Sequence, residues 1–202
     1  MIEKKQIEYN ILLNHLSIIF NKYERDKNFD FGDLFNCFNG GTFESKYYVN
    51  KSNNKLITIK NVDDNGFNTN AVSFISNDKA DAKFLLLIGD IVLTMTGNIG
   101  RYGIVDDNNC YLNQRVLKIT SVSKSYLLAY LQKYKNQIIQ LGKGTAQLNL
   151  SLEELKQLKV FNSYAEISAF GRYDYIFDLL LNCKLVIKKA KKIKQLLLSK
   201  YF

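Results

Sequence analysis

The chain has 202 residues, a formal net charge of +9 and a pI near 9.3. With 47% hydrophobic and 23% charged residues and a mean hydropathy of −0.17, it has the composition of a soluble globular protein, and no apolar run approaches the ~20 residues of a bilayer span. A single histidine, no proline and three scattered cysteines (Cys37, Cys110 and Cys183) exclude a multi-histidine metal site, a disulfide framework and a paired-cysteine zinc site.

The N-terminal MIEKKQIEYN lacks the basic, apolar, small-residue order of a signal peptide, which predicts a cytoplasmic protein. Lys, Asn, Ile and Tyr are abundant, as an AT-rich genome encodes, so the number of lysines alone argues little about partners. The first predicted element is a helix over 3–24, with Ile7, Ile11, Leu12, Leu16, Ile19 and Tyr23 at helical spacing. His15 sits among these residues and is expected to be partly buried rather than catalytic. Asp26, Asn28 and Asp30 read as the stop.

Residues 30–160 carry short β-prone runs at 56–59, 72–75, 84–88, 91–95, 102–105 and 116–119. Gly, Asn and Asp clusters separate them, such as Asp63-Asp64-Asn65-Gly66 and Asp106-Asp107-Asn108-Asn109. Two helices interrupt the runs. One covers 125–141, with Leu127, Leu128, Leu131, Tyr134, Ile138 and Leu141 on its apolar side. The other covers 151–158 and opens on Ser151-Leu152-Glu153-Glu154, a capping box in which Ser151 caps and Glu154 reaches back. The expected fold is α+β, with a twisted mixed β-sheet and helices. It divides into an N-terminal helix (1–28), a globular domain (29–162) and a C-terminal helix (163–202).

That last helix reads as continuous over 164–202. Leu179, Cys183, Val186, Ala190, Ile193 and Leu197 recur at steps of four and three, a heptad seam expected to be buried between chains. Lys184, Lys188, Lys189, Lys191, Lys192, Lys194 and Lys200 fill its outside, either as a solvated face or as a contact for nucleic acid or an acidic partner.

No catalytic constellation emerges. Glu154-Leu155-Lys156 has the spelling of a metal-dependent nuclease but lies in a predicted helix without an upstream aspartate. Lys143-Gly144-Thr145 lacks the spacing of a phosphate loop. A chain without proline cannot hold the Asn/Asp-Pro-Pro-aromatic loop of a DNA adenine methyltransferase.

Three loops instead suit nucleic acid. In 89–101 a β run feeds Thr94, Thr96, Gly97 and Asn98 and ends at Arg101. Glycines let backbone N–H groups approach phosphate, Thr and Asn donate to phosphates or base edges, and Arg reads guanine bidentately. Asn113-Gln114-Arg115 and the 141–149 loop, with Lys143, Thr145 and Gln147, repeat this composition. The plain alternatives are a β-hairpin turning at Gly97-Asn98, and ion pairs from Arg101 and Arg115 to Asp90 or Asp106.

On these residues the chain resembles the specificity (S) subunit of type I restriction–modification systems in its half-length form. Gly40-Gly41-Thr42-Phe43 with Lys46-Tyr47-Tyr48 is similar to the opening GGTP…Y-W element of a target recognition domain, with Phe43 in place of proline. Residues 56–62 are similar to the W-I-x-I-x-D-I strand, 89–101 to the G-D-I-L-L-T-x-x-G-x-I-G strand and loop, and 111–115 to the N-Q segment. Residues 142–158 are similar to the G-x-x-x-x-x-L-x-x-x-x-L-x-x-I segment, and the C-terminal helix to the conserved spacer helix with its L-L-x-x-x-F end. The Pro-rich segment and Glu-Gln pair that precede that helix in the family are represented only by 161–163 and Glu166.

The resemblance implies a sequence-specific DNA recognition subunit with no catalytic residue, cofactor or metal of its own. It adds Thr42, Lys46 and Lys60 to the DNA-binding candidates. It implies double-stranded DNA and a methyltransferase (M) subunit as partners, with S-adenosylmethionine belonging to the latter, and it accommodates a restriction (R) subunit. A full subunit has two recognition domains and two spacer helices, so a half-length chain is expected to pair with a second copy through its spacer helix. Two alternatives stand beside this reading. One is a truncated or regulatory S-like protein that pairs with a full S or M subunit and alters specificity. The other is an RNA-binding module, since Gly97-Asn98-Ile99-Gly100 has the spelling of a KH loop, although β runs flank it where that domain needs helices.

Overall fold

The computed structural model describes residues 1–25, 28–142 and 149–201. Its elements run α1 (Ile2–Tyr23), β1 (Phe29–Asp30), α2 (Phe31–Leu34), β2 (Asn36–Asn39), β3 (Tyr48–Val49), β4 (Lys55–Ile57), β5 (Val62–Asp63), β6 (Gly66–Phe67), β7 (Ser73–Ile75), β8 (Leu85–Leu86), β9 (Ile91–Thr94), β10 (Tyr102–Ile104), β11 (Cys110–Leu112) and β12 (Val116–Thr120). Helices α3 (Lys124–Lys133), α4 (Lys135–Leu141) and α5 (Leu152–Lys156), strand β13 (Lys159–Val160) and helices α6 (Tyr164–Phe170) and α7 (Asp174–Tyr201) complete the chain.

Two sheets stack at the centre. One is antiparallel, in the order β10-β9-β12-β2; the other is mixed, in the order β3-β7-β4-β11-β8, with β4 and β11 parallel. The period-2 alternation of the strands assigns each residue to a layer. Ile91, Leu93, Leu117 and Ile119 face the helices, where they join Leu16, Phe20, Tyr126, Tyr130, Phe170 and Phe177. Val92 and Val116 point the other way, onto Ile57, Leu86, Cys110 and Leu112 of the second sheet. On the far side of that sheet, Leu56, Ile75 and Tyr111 meet Phe43, Phe84 and Leu85. Strand β9 is therefore buried on both faces, which is why 91–93 reads as an unbroken apolar run.

The short helix α5 carries the predicted capping box: Glu154 N–H donates to Ser151 Oγ and the Glu154 carboxylate accepts from Ser151 N–H. Glu154 is thus a cap. The helix expected over 125–141 breaks at Tyr134 (φ −96°, ψ 12°), whose hydroxyl reaches Glu24 just past the end of α1. The stretch from 164 is helical to 201 but tightens to 3-10 geometry over Gly171–Tyr173. There the ring of Phe170 is wedged among Phe20, Tyr23 and Tyr126, and Asp174 turns to accept hydrogen bonds from the hydroxyls of Ser123 and Ser125 and the N–H of Ser125 at the start of α3. Strands β2 and β11 carry no clear sequence signal; β2 is a polar strand at the edge of the antiparallel sheet.

The expected seam of the C-terminal helix is partly used inside the chain. Helix α1 lies antiparallel on α7, Tyr23 near Phe170 and Glu8 near Cys183. Cys183 and Ala190 are buried beneath it together with Ile176, Leu180 and Ile187, so the covered stripe runs one position aside from the expected one. Leu179, Ile193 and Leu197 remain exposed and Val186 half-buried. On α1 the buried stripe follows Leu16 and Phe20, flanked by Tyr9, Leu12, Leu13 and Ile19. Ile7, Ile11 and His15 face outward, so His15 is exposed and not half-buried as expected. Helix α1 reaches no further than about Ala190. From Lys191 to Tyr201 every residue of α7 is exposed, an overhang of about 16 Å at 1.5 Å per residue.

Two lysines of α7 dock the helix on the sheets. Lys188 Nζ lies 2.8 Å from Asp106 and 2.9 Å from Asp107, and Lys184 Nζ lies 3.5 Å from Asp106. Burial lowers the pKa of Lys184, and Asp106 opposes that shift. Burial raises the Asp107 carboxyl, but hydrogen bonds from Lys188 and Thr69 outweigh it and bring the group down to about 2. Its folded pKa lies below its unfolded value, so its contribution is full above about pH 4 and is lost as pH falls towards 2. Lys188→Ala is expected to cost about 2 kcal/mol in a denaturant titration, because it leaves the buried Asp106 with only the longer contact to Lys184. In Asp107→Asn the loss of thermal stability between pH 4 and 2 should be shallower than in the wild type.

Candidate nucleic-acid interface

The β9–β10 hairpin is built around one buried threonine. Thr94 N–H donates to Arg101 C=O (2.8 Å), Thr94 Oγ1 donates to Asn98 C=O, and Arg101 N–H donates back to Thr94 Oγ1 (3.1 Å). Gly97 and Gly100 adopt φ of 68° and 78°, the left-handed region that closes the loop. Ile99 is turned inward and plugs the loop against Gly142, while Gly97 and Asn98 stay exposed at the tip.

The ladder to β12 carries the second loop alongside. Val116 is paired with Thr94, and Met95 N–H donates to Arg115 C=O (3.0 Å). The 40–43 segment then lies on the 112–114 segment. Gly41 N–H donates to Leu112 C=O and Gln114 N–H to Gly41 C=O, both at 2.9 Å, and Thr42 Oγ1 donates to Gln114 Oε1 at 2.8 Å. A Cβ on Gly40 would stand 2.2 Å from the Asn113 carbonyl, so only glycine allows this approach. Ile59 rests beside Gly97, which puts the exposed Lys60 next to the hairpin tip.

Thr42, Lys60, Thr96, Asn98, Gln114 and Arg115 are thus brought to one end of the stacked sheets. Gln114 and Arg115 are exposed, and Arg115 makes no ion pair among the described residues. Thr96 is half-buried, with its hydroxyl oxygen enclosed and unpartnered among the described residues. Lys46 is exposed but engaged by Glu44 at 2.8 Å and by the Tyr47 ring.

Two candidates turn out to be structural. Thr94 is wholly buried and its hydroxyl closes the hairpin, and Asn113 is 8% exposed beneath Gly40. Lys143, Thr145 and Gln147 lie outside the described residues. The segments flanking them are anchored on the same hairpin, with Gly142 on Ile99, Asn149 bridged to Thr96, and Leu150 N–H donating to Met95 C=O.

Arg101 meets neither Asp90 nor Asp106, which pair with Lys118 and with Lys184 and Lys188. It makes a two-pronged contact with Asp64 instead, Nε at 3.2 Å and Nη2 at 2.7 Å. Lys135 Nζ joins the same carboxylate at 3.4 Å. Hydrogen bonding from Arg101 holds the Asp64 carboxyl below its usual range. These groups line a cleft of about 380 Å³ together with Gly97, Asn98, Ile99, Asn136 and Ile139. The sequence marks 63–66 only as a turn, and nothing local announces a partner 37 residues away. Among the described residues, no group of three or more His, Cys, Asp or Glu is placed to hold a metal, and no helix is long and apolar enough to cross a membrane.

Comparison with solved structures finds the same fold. The S subunit of a type I restriction–modification system from M. genitalium matches with a TM-score of 0.60 at 13% identity, over 100% of this chain and 57% of that one. The HsdS subunit from Thermoanaerobacter tengcongensis matches with a TM-score of 0.57 at 12% identity, over 98% of this chain and 52% of that one. A structure described as showing complex assembly and conformational transition of the type I R-M system gives a TM-score of 0.57 at 12% identity, covering 98% and 53%. The chain thus spans little more than half the length of the solved structures it matches. No curated protein sequence matches it. The family model described as the type I restriction modification DNA specificity domain matches residues 24–161, a span that runs from the end of α1 through both sheets to β13, and the chain belongs to that family.

Proposed function

We propose that this chain is a sequence-specific DNA recognition subunit of a type I restriction–modification system, itself non-catalytic and acting in the cytoplasm. The observation that carries the reading is the convergence of three polar loops, distant in sequence, at one end of a rigid double-sheet core. Gln114, Arg115 and Asn98 offer donors and acceptors suited to base edges, and Lys60 offers a cation suited to phosphate. A surface mounted on strands buried on both faces holds these groups in fixed relation. Methyl transfer then falls to an M subunit, and an R subunit joins where restriction occurs.

The stripe of exposed Leu179, Ile193 and Leu197 with half-buried Val186 on α7 supports pairing with a second copy, since a lone chain leaves most of it in water. Pairing places two recognition domains at a fixed separation. The stripe is distinct from the one covered by α1, so it is open in the folded monomer.

Two measurements test these statements. Arg115→Ala in the M–S complex is expected to cost about 1–3 kcal/mol against the target duplex and to relax the preference over a scrambled one. Lys60→Ala should weaken both duplexes about equally. Thr94→Ala should lower stability, with any loss of binding following from that. Equal affinity of wild type and Arg115→Ala for both duplexes would remove Arg115 from the recognition surface. The second measurement is sedimentation. The wild type is expected as a dimer and Val186→Asp/Ile193→Asp as a folded monomer; a stable dimer of the double variant would place the interface elsewhere.

A further inference from the structure

The contact between Asp64, Arg101 and Lys135 has no evident structural purpose. Asp64 sits at the tip of the β5–β6 hairpin with its side chain 64% exposed. The turn does not depend on it: Asp63 Oδ1 accepts from Asn65 N–H at 2.7 Å, Asp63 Oδ2 accepts from Asn68 Nδ2 at 2.9 Å, and Gly66 supplies the positive φ. Among the described residues the Asp64 carboxylate is engaged only by the two cations. An ion pair of such exposure adds little to stability and is screened by salt.

The cations, by contrast, are held in place. Arg101 is fixed by its backbone N–H and C=O to Thr94, and its side chain is only 25% exposed; Lys135 opens α4 with its side chain 34% exposed. Both line the cleft beside the exposed tip Gly97-Asn98, with the side-chain amides of Asn98 and Asn136 nearby. A guanidinium fork that grips two carboxylate oxygens matches two oxygens of a phosphate equally well, and a second cation on the same acceptor selects an anion over a neutral base edge.

We infer that Arg101 and Lys135 form a binding site for a backbone phosphodiester of DNA, and that Asp64 occupies this site in the free protein as a stand-in for the phosphate. The inference rests on the DNA-recognition reading and adds a brake to it. Every encounter with a duplex must first displace Asp64. Weak, sequence-independent contacts do this poorly, and a duplex that also engages Gln114 and Arg115 does it readily. Release needs only rotation of the exposed Asp64 side chain, since Val62 and Phe67 of the same hairpin stay packed in the core.

The test is a salt titration of binding to a random-sequence duplex, with the full chain alone or with its M subunit. Asp64→Asn is expected to bind roughly 3- to 10-fold tighter at low salt than the wild type. Its log–log salt slope should be steeper by about one, because one more cation charge meets phosphate. Adding Lys135→Ala to Asp64→Asn should bring the slope back. Lys135→Ala alone, which keeps Asp64 on Arg101, should weaken the random duplex and flatten the slope, and it serves as an independent check on the site. If the wild type binds duplex while Asp64→Asn matches it in affinity and slope, the phosphate-mimic inference is overturned and the DNA reading stands. If Lys135→Ala leaves both quantities unchanged, the phosphate site itself is overturned. If neither wild type nor variants bind any duplex, both readings fall.

Discussion

Strand β9 is buried on both faces, and its register with β12 positions everything that reaches solvent at the loop end. Because side chains alternate, a slip of one residue would send Val92 and Val116 into the helical layer and Leu93 and Leu117 into the sheet layer. A slip of β12 would also turn Lys118 into the apolar helical layer, so the Thr94–Val116 pairing is strongly specified. Arg115 then necessarily stands beside Met95, the hairpin tip beside the NQ segment, and the glycine pair of 40–41 over Asn113. The loop surface inherits its geometry from a packing constraint that lies beneath it.

The lysine-rich C-terminal helix divides its charges between two tasks. Lys184 and Lys188 turn inward to Asp106 and Asp107 and clamp the helix to the sheets, so part of an apparently uniform basic run is internal electrostatics. Lys189, Lys191, Lys192, Lys194 and Lys200 remain exposed. The aspartates that in the sequence look like a plain turn cluster are therefore the anchor of the longest helix. Asp174 repeats the device at the helix start, where it accepts hydrogen bonds from the first turn of α3.

What the sequence made legible was local or periodic. The Ser151–Glu154 capping box spans three residues, and its chemistry is complete within them. The strands at 91–94 and 116–120 announce themselves by apolar content, and the family motifs mark the loops that converge. What stayed hidden depends on partners far along the chain. Cys183 and Ala190 belong to two overlapping heptad stripes, and only the arrival of α1, some 170 residues earlier, decides that Leu180 and Ile187 are covered while Leu179 and Ile193 are not. Thr94 has the composition of a ligand contact, yet its strand position puts its hydroxyl inside the hairpin. Asp64 acquires a role only because Arg101 and Lys135 are folded onto it. The family match and the fold agree on the architecture that carries the loops, and the placement of single side chains within them comes from the three-dimensional packing alone.

The antiparallel embrace of α1 and α7 also orders events in time. During synthesis α1 emerges with Leu16 and Phe20 on its apolar face long before the residues that will cover them, Phe170 and the first turns of α7. Strand β1 waits in the same way for β13, pairing Phe29 with Val160. The two sheets have their strands between residues 36 and 120 and can condense while the ends are unpaired. Helix α1 thus remains an unsatisfied amphipathic segment until α7 has been made. Closure of the fold is a late docking of α1 and α7 onto a preformed core, with no prolyl bond between them to delay it.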